Sequence, residues 1–329
     1  MTAEPTTRAA RAVRTTDRVA WPAVVAFVLL ACGLAWLVAL PLWLGEGLAS
    51  PLTPLILPAM MLTPAVATVV VMFAFRAPAK GRLRFLGLWP LRPAGRLVLF
   101  LALGLVLPIL VVFAATLLSG ALGLARLDLV GFSAFADQLT SAVPEETPLP
   151  PVGLLVALQL LMLPLGAVFN SVLAFGEEVG WRGWLQTALL PLGTWPSLLI
   201  TGAVWGLWHA PIILLGYNFG RADATGLLFM MGGCLAWGVL LGWLRLRSAS
   251  LWPAVLTHGS LNAAAGVVLL LAASGQAPDL ALVGPLGIVA WGVLAVVVVV
   301  IVLLREFRAG RPAEASVAAD SALQAGAVA

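Results

Sequence analysis

The feature that most constrains this chain is a series of long apolar runs, several of them about 20 residues or longer. A helix of about 20 apolar residues crosses the hydrocarbon core of a bilayer. Only 10% of the 329 residues are charged, and the mean hydropathy is +1.07. No segment shows the alternating pattern of a membrane β-barrel. The sequence therefore predicts an all-α polytopic membrane protein with a polar cavity inside its helix bundle.

The apolar runs predict about eight transmembrane helices, separated by turns rich in glycine, proline and charged residues. The predicted spans cover residues 20–44, 53–75, 97–118, 151–190, 196–215, 224–244, 251–271 and 282–304. At about 1.5 Å per residue the fourth is too long for one straight crossing, so we expect a kink near Pro164. The Pro191–Thr194 stretch predicts the turn between spans 4 and 5.

Charge distribution gives an orientation for these spans. If both termini are cytoplasmic, the cytoplasmic segments hold every basic residue except Arg126, Arg182 and Arg221. Because basic residues favour the cytoplasmic side, we predict an integral membrane protein with both termini cytoplasmic. A composition rich in alanine, arginine and tryptophan, with Lys80 as the one lysine, suggests a GC-rich bacterial genome and hence a bacterial plasma membrane. The predicted orientation accounts for the basic residues behind the net charge of +4. We therefore expect the bilayer, and no nucleic acid, as a partner.

Few ionisable side chains fall inside the predicted spans. They are Glu177, Glu178, Arg182, His209 and His258. One charge at the bilayer centre costs about 2.5–3.5 kcal/mol even on lenient insertion scales, so three adjacent charges cost about 8–10 kcal/mol before any compensation. Both histidines of the protein belong to this set. We therefore predict a functional polar site within the bundle.

The spacing of these residues predicts how they meet. Glu177 and His209 are equally far from the turn between spans 4 and 5, so they should lie at one depth. We expect the glycines of the two spans to bring those helices close together, which would place the two side chains around a shared water. Glu178 and Arg182 share a helix face at i, i+4 and should pair with each other.

Two further polar pairs follow the same helical spacing. His258 and Asn262 are also i, i+4, and Trp205 lies one turn before His209. This set suits hydrolysis, because a desolvated carboxylate can act as general base and imidazole or amide groups can bind an oxyanion. A purely structural role in helix packing is the alternative for each pair. The chain lacks an H-E-x-x-H zinc helix, a G-x-S-x-G elbow and a pair of aspartates within spans.

Three motifs in order resemble the CPBP family of intramembrane proteases, also called the CAAX-protease and bacteriocin-processing, Abi or Rce1-like family. They are Glu177-Glu178-x-x-x-Arg182, Trp205-x-x-x-His209 and His258-x-x-x-Asn262, within about residues 165–275. The resemblance implies that Glu177 is the general base, that His209 helps to activate water, and that His258 and Asn262 bind the oxyanion. Glu178, Arg182 and Trp205 would support them. The family usually has phenylalanine where this chain has Trp205.

The resemblance divides the chain into five predicted regions. They are a disordered cytoplasmic tail at 1–18, N-terminal transmembrane helices at 19–150, a CPBP-type catalytic core at 151–275, a last transmembrane helix at 276–307 and a disordered cytoplasmic tail at 308–329.

The implied activity is intramembrane endopeptidase cleavage of a membrane-associated protein or peptide, near the cytoplasmic side of the membrane. A metal-free mechanism is favoured, and zinc held by Glu177, His209 and His258 is the alternative. Two other hypotheses stay open: a non-catalytic immunity or binding protein of the same fold, and a proton-coupled transporter that uses the glutamate and histidines as a relay. Prenylated CaaX proteins are substrates of the eukaryotic branch, and a bacterial protein is expected to cleave other peptides.

Overall fold

The computed structural model describes residues 18–91, 93–144 and 148–307. Within these ranges the regular structure is helical, and the one β-type pairing is an isolated antiparallel bridge between Leu127 and Ala272. The predicted tails lie outside the described residues, apart from Arg18 in the first. The prediction of an all-α polytopic membrane protein is confirmed.

The described α-helices follow one another with few long connections. In chain order they are α1 (Trp21–Leu44), α2 (Thr53–Met61), α3 (Thr63–Ala74), α4 (Arg82–Leu86), α5 (Ala94–Ala121), α6 (Ser133–Ala142), α7 (Val152–Leu161), α8 (Leu163–Glu178), α9 (Gln186–Leu189), α10 (Thr194–Trp208), α11 (Ala210–Ile213), α12 (Ala224–Ser248), α13 (Trp252–Ala264), α14 (Val267–Leu270), α15 (Leu280–Val283) and α16 (Ile288–Leu303). A π-helix, Val179–Leu185, joins α8 to α9.

Among the described residues, six helical stretches are long and apolar enough to cross a membrane: Trp21–Leu44, Thr53–Ala74, Ala94–Ala121, Ala224–Ser248, Trp252–Leu270 and Leu280–Leu303. The bent pair Val152–Leu161 and Leu163–Leu192 makes a seventh if it counts as one span. The predicted fifth span, 196–215, differs: it divides into α10 and α11, and α10 has only 15 residues. Pro211 accounts for the break near His209, because proline cannot donate the backbone hydrogen bond that continues a helix.

The predicted kink in the fourth span is present, two residues before Pro164. α7 ends at Leu161, Met162 follows, and the two parts are bent by 53°. Pro164 is the second residue of α8, a position where its missing N–H is not needed. The predicted turn after this span is present too, because Gly193 adopts a φ of +103° immediately before α10.

The glycines of spans 4 and 5 do not bring those two spans together, and this expectation was wrong. A Cβ on Gly176 would lie 2.8 Å from the Met61 carbonyl oxygen, so this face of α8 packs on the α2–α3 pair. A Cβ on Gly206 would lie 2.6 Å from the Cα of Met231, so α10 packs on α12. α8 also packs closely on α13. The close approaches that glycine permits therefore attach spans 4 and 5 to other helices.

The connection after α3 covers one end of the bundle. The Trp184 indole donates to the Ala77 carbonyl at 2.6 Å, and Arg245 Nη2 donates to the Phe85 carbonyl at 3.1 Å. The Leu251 amide adds a 2.8 Å bond to the Gly87 carbonyl. This connection therefore seals the end of the bundle at which α13 begins.

The close contact of α10 with α12 predicts a sharp glycine requirement at position 206. Gly206→Ala should lower the free energy of unfolding by about 1–3 kcal/mol, because the methyl group meets backbone rather than a movable side chain. Gly33→Ala is the matched control, since a Cβ on Gly33 in α1 meets nothing within 4 Å. Thermal unfolding in detergent measures both. Equal melting temperatures for the two variants would contradict this packing.

Candidate active site

The site begins where α8 gives way to the π-helix. Glu177 and Glu178 are the last two residues of α8, and all seven residues of the π-helix are buried. π-Helices are rare and are often found at functional sites, because the extra residue in the turn redirects side chains. The apolar pattern of the sequence did not predict this π-helix.

Glu178 joins two cationic or ionisable side chains beneath the site. Arg182 Nη1 donates to Glu178 Oε1 at 2.8 Å, so the predicted ion pair is present, and both side chains are fully buried. His258 Nδ1 lies 2.8 Å from the same carboxylate oxygen. Sequence spacing did not predict this second link, which ties α8 to α13.

Trp205 is the central contact of the site. Its indole N–H donates to Glu177 Oε2 at 2.7 Å, a bond that phenylalanine could not make. The Arg182 guanidinium carbon lies 4.3 Å from the indole ring centroid, within the range of a cation–π contact. The Trp205 carbonyl faces His209 Nδ1 at 2.9 Å, and its ring meets His258 edge-on at 5.3 Å. One residue thus contacts the glutamate, the arginine and both histidines.

A cavity of about 370 Å³ brings the predicted catalytic residues together. Glu177, His209, His258 and Asn262 all line it, as does Trp205. Glu178 and Arg182 are outside the lining and lie behind it, completely buried. The structure therefore separates the two glutamates: Glu177 lines the cavity, and Glu178 is buried outside its lining.

The hydrogen bonds of the histidines fix one proton on each ring. His209 Nδ1 faces a carbonyl oxygen and His258 Nδ1 faces a carboxylate oxygen. Both partners are acceptors, so each Nδ1 carries a hydrogen and donates it. Nε2 is then the nitrogen of each ring that is left for chemistry in the cavity.

The cavity is walled by chain connections at the end of the bundle away from both described termini. Tyr217 and Phe219, between α11 and α12, line it together with Leu286 before α16. Trp43, at the end of α1, donates to the Pro211 carbonyl at 2.8 Å, which places that end of α1 beside this region. In the predicted orientation this is the outer end, so that orientation and the expected cleavage near the cytoplasmic side cannot both hold.

The opposite side of the cavity is closed by a buried layer. Arg182, Gln186 and Leu241 are each 1% exposed or less. Gln186 Nε2 donates to the Gly242 carbonyl at 3.3 Å, which links this layer to α12. His258, in the second turn of α13, lines the cavity itself.

Several cavity residues were absent from the sequence prediction. Asn170 was detectable in principle, since it lies seven residues before Glu177 and so on the same helix face. Cys234 Sγ lies 3.9 Å from His209 Nδ1, but a cysteine in an apolar run does not indicate that it lines a cavity. Tyr217 and Asn218 come from a connection whose placement only the tertiary structure defines.

The zinc alternative can be tested against the donor geometry. Within the described part of the chain, no group of three His, Cys, Asp or Glu side chains is placed to hold a metal ion. Glu177 Oε1 and the two Nε2 atoms are the atoms left to bind a metal, because Glu177 Oε2 and both Nδ1 atoms have other partners. The set Glu177, His209 and His258 does not fit a zinc ion as placed, and we derive no step through one.

Comparison with known families gives a match over residues 157–264, to the family described as type II CAAX prenyl endopeptidase Rce1-like. The three motifs from Glu177 to Asn262 all fall inside the matched segment. The predicted family resemblance is confirmed for this segment, which is roughly a third of the chain. The family is one of peptidases, and its presence with the apolar helices identifies an integral membrane protein. No curated protein matches the chain.

The buried ion pair predicts a large stability effect for its arginine. Arg182→Leu should lower the free energy of unfolding by about 3–5 kcal/mol, because it leaves the Glu178 carboxylate buried without its guanidinium partner. The double variant Glu178→Gln with Arg182→Met removes both charges and should recover part of that loss. Thermal unfolding in detergent compares them, and a double variant less stable than Arg182→Leu would contradict the pairing.

Proposed function

We propose that this chain, whose residues 157–264 belong to the Rce1-like family of peptidases, is an intramembrane endopeptidase that hydrolyses a peptide bond with a water activated by Glu177. The observation that carries the proposal is the single cavity lined by Glu177, His209, His258 and Asn262. The substrate is a membrane-associated protein or peptide, because the cavity lies within the helix bundle.

Glu177 has the geometry of a general base. Trp205 holds Oε2, which leaves Oε1 to accept a proton from water in the cavity. The oxygen of that water attacks the carbonyl carbon of the substrate as its proton passes to the carboxylate. Burial keeps the base and the attacking water in a site of low dielectric, where their positions are fixed before reaction.

His209 is assigned to orient the water and to assist the leaving group. Its Nδ1–H bond to the Trp205 carbonyl fixes the ring and leaves Nε2 to interact with the water and the leaving amine. As the tetrahedral intermediate collapses, the C–N bond breaks and the amine nitrogen takes the proton that Glu177 accepted, directly or through His209. The products are a carboxylic acid and an amine, and the glutamate returns to its starting state.

His258 and Asn262 are assigned to the oxyanion. The Asn262 amide supplies N–H groups, and His258 supplies a donor at Nε2 when its ring carries a second proton. Glu178 faces the other nitrogen of that ring at 2.8 Å and fixes the orientation of the imidazole. Arg182 supports this arrangement through Glu178 and the Trp205 ring.

We also propose the orientation and source that charge and composition suggest. Both termini are placed in the cytoplasm of a bacterium, and the cavity then faces the outer side of its plasma membrane. Substrates are peptides or membrane proteins that present a segment at that side. The family description refers to prenylated CaaX proteins, which a bacterial membrane is not expected to supply.

The decisive test removes the base without changing its shape. Glu177→Gln should reduce peptide cleavage by about 100-fold or more, because the amide cannot accept the proton of the attacking water. Quantitative proteomics of membranes from cells with the wild-type or variant protein identifies fragments that depend on Glu177, and purified protein then cleaves the matching peptides in vitro.

Folding of the variant is checked by its thermal unfolding curve, which should match that of the wild type. Full cleavage by well-folded Glu177→Gln protein would rule out this mechanism. A cellular phenotype that survives His209→Ala and His258→Ala would instead favour the binding protein, and Glu177-dependent proton flux in liposomes would favour the transporter.

A chelator separates the metal-free mechanism from its zinc alternative. Dialysis of the purified protein against 1,10-phenanthroline should leave peptide cleavage unchanged. Cleavage that is lost on dialysis and restored by added zinc would support the metalloenzyme.

The indole of Trp205 predicts a specific effect on the rate of cleavage. Trp205→Phe keeps an aromatic ring over Arg182 but removes the N–H bond to Glu177. A lost hydrogen bond to a charged group is worth about 1.5–3 kcal/mol, so kcat should fall about 10- to 100-fold. Steady-state kinetics should show the loss in kcat with little change in KM. Trp184→Phe is the control, because its indole donates to the Ala77 carbonyl and Trp184 is outside the lining of the cavity.

A further inference from the structure

A second groove lies beside the cavity, between the α7–α8 pair and the α13–α14 pair. It has a volume of about 340 Å³ and is open to the side of the bundle, where Met162 is 47% exposed. Asn170 and Asn262 line both this groove and the catalytic cavity. The groove therefore adjoins the cavity at these two side chains and is open on the side of the bundle.

The groove exists because two helices break at the same level. α8 and α13 are in close contact where Gly259 faces Ala167 and Ser171. Further along, α7 bends away from α8 at Met162, and α13 gives way to α14 just before Val267. A Cβ on Gly266 would meet nothing within 4 Å, so the two pairs have separated there.

Three carboxamides interrupt the otherwise apolar walls of the groove. Gln159 is exposed and is the one polar side chain of α7, while Asn170 and Asn262 lie at the junction with the cavity. Asn170 Nδ2 donates to the Gly166 carbonyl at 2.9 Å, which leaves its Oδ1 to accept from a bound group. Lipid tails offer such groups no hydrogen bonds, so an exposed glutamine at this depth is unfavourable unless something pairs with it.

We propose that this groove binds an extended apolar segment of the polypeptide substrate, with Gln159 and Asn170 bonding to its backbone and Asn170 positioning it at the entrance to the cavity. A carboxamide donates and accepts like a peptide group, so it can replace the hydrogen bonds that an extended chain lacks in lipid. An acyl chain would use the apolar walls and leave the carboxamides unpaired. This inference rests on the proposed peptidase function.

Cross-linking tests the groove without requiring cleavage. A photoreactive benzoylphenylalanine replaces Met162, which lines the groove, or Leu165, which is 51% exposed on α8 outside the lining. Both proteins carry Glu177→Gln and are placed in phosphatidylethanolamine–phosphatidylglycerol vesicles. The probes are a 20-residue peptide of leucine and alanine and an alkyne-tagged palmitate.

The peptide should label the Met162 position at least about fivefold more than the Leu165 position. The double change Gln159→Leu and Asn170→Leu should remove most of that difference, because it leaves the walls apolar but takes away the backbone partners. Gln138→Leu, at an exposed glutamine of α6, is the matched control and should retain the labelling. Equal labelling at the two positions, preferential labelling by palmitate, or labelling insensitive to the double change would each overturn the proposal.

A kinetic arm distinguishes failure of the groove from failure of the proposed function. This arm uses protein with Glu177 intact and two peptides, one with an apolar extension and one without. The kcat/KM of the extended peptide is divided by that of the unextended peptide. Gln159→Leu should lower this ratio about tenfold. An unchanged ratio in an active enzyme would refute the groove and leave the peptidase standing. Selective cross-linking in the Glu177→Gln variants, together with no peptide cleavage by the well-folded protein with Glu177 intact, would refute the peptidase and leave a peptide-binding groove.

Discussion

The buried carboxylate of Glu178 is the contact on which the rest of the site depends. One of its oxygens receives both Arg182 and His258, so it joins the π-helix to α13 at a single point. Its negative charge is what makes a fully buried guanidinium tolerable within the bundle. Arg182 in turn lies against the ring of Trp205, and Trp205 holds Glu177. A chain of contacts thus runs from Glu178 to Glu177 without the two carboxylates sharing a hydrogen-bond partner.

That chain explains why charges persist in such an apolar protein. Separately, each ionisable group would favour leaving the bilayer, but together they form a connected set with opposite charges and directed hydrogen bonds. The apolar helices around them supply close packing, which holds the set in one arrangement. The bundle and its polar centre are therefore mutually dependent: the helices bury the charges, and the charges fix which helices meet.

Sequence reasoning predicted the parts of this protein that depend on local pattern. Hydropathy identified the membrane helices, proline marked the bend before α8, and i, i+4 spacing predicted the Glu178–Arg182 pair. Contacts between residues distant in the sequence could not be predicted in this way. The Gly176 and Gly206 faces were detectable, but nothing local shows that they face α2–α3 and α12. The bond of His258 to Glu178 joins residues 80 positions apart, and the wall near Tyr217 comes from a connection without periodicity.

The π-helix has a consequence for how this sequence can vary in length. Its wider turn holds one residue more than an α-helical turn, which offsets everything after Val179 by about 100° relative to Glu177 and its neighbours. The first part of the span can therefore face the cavity while the second, with Gln186, faces α12. Loss of one residue here would return the span to a regular α-helix and rotate its two halves out of phase. The π-helix thus sets the rotation of one half of the span relative to the other. We expect its length to be maintained even where its side chains change.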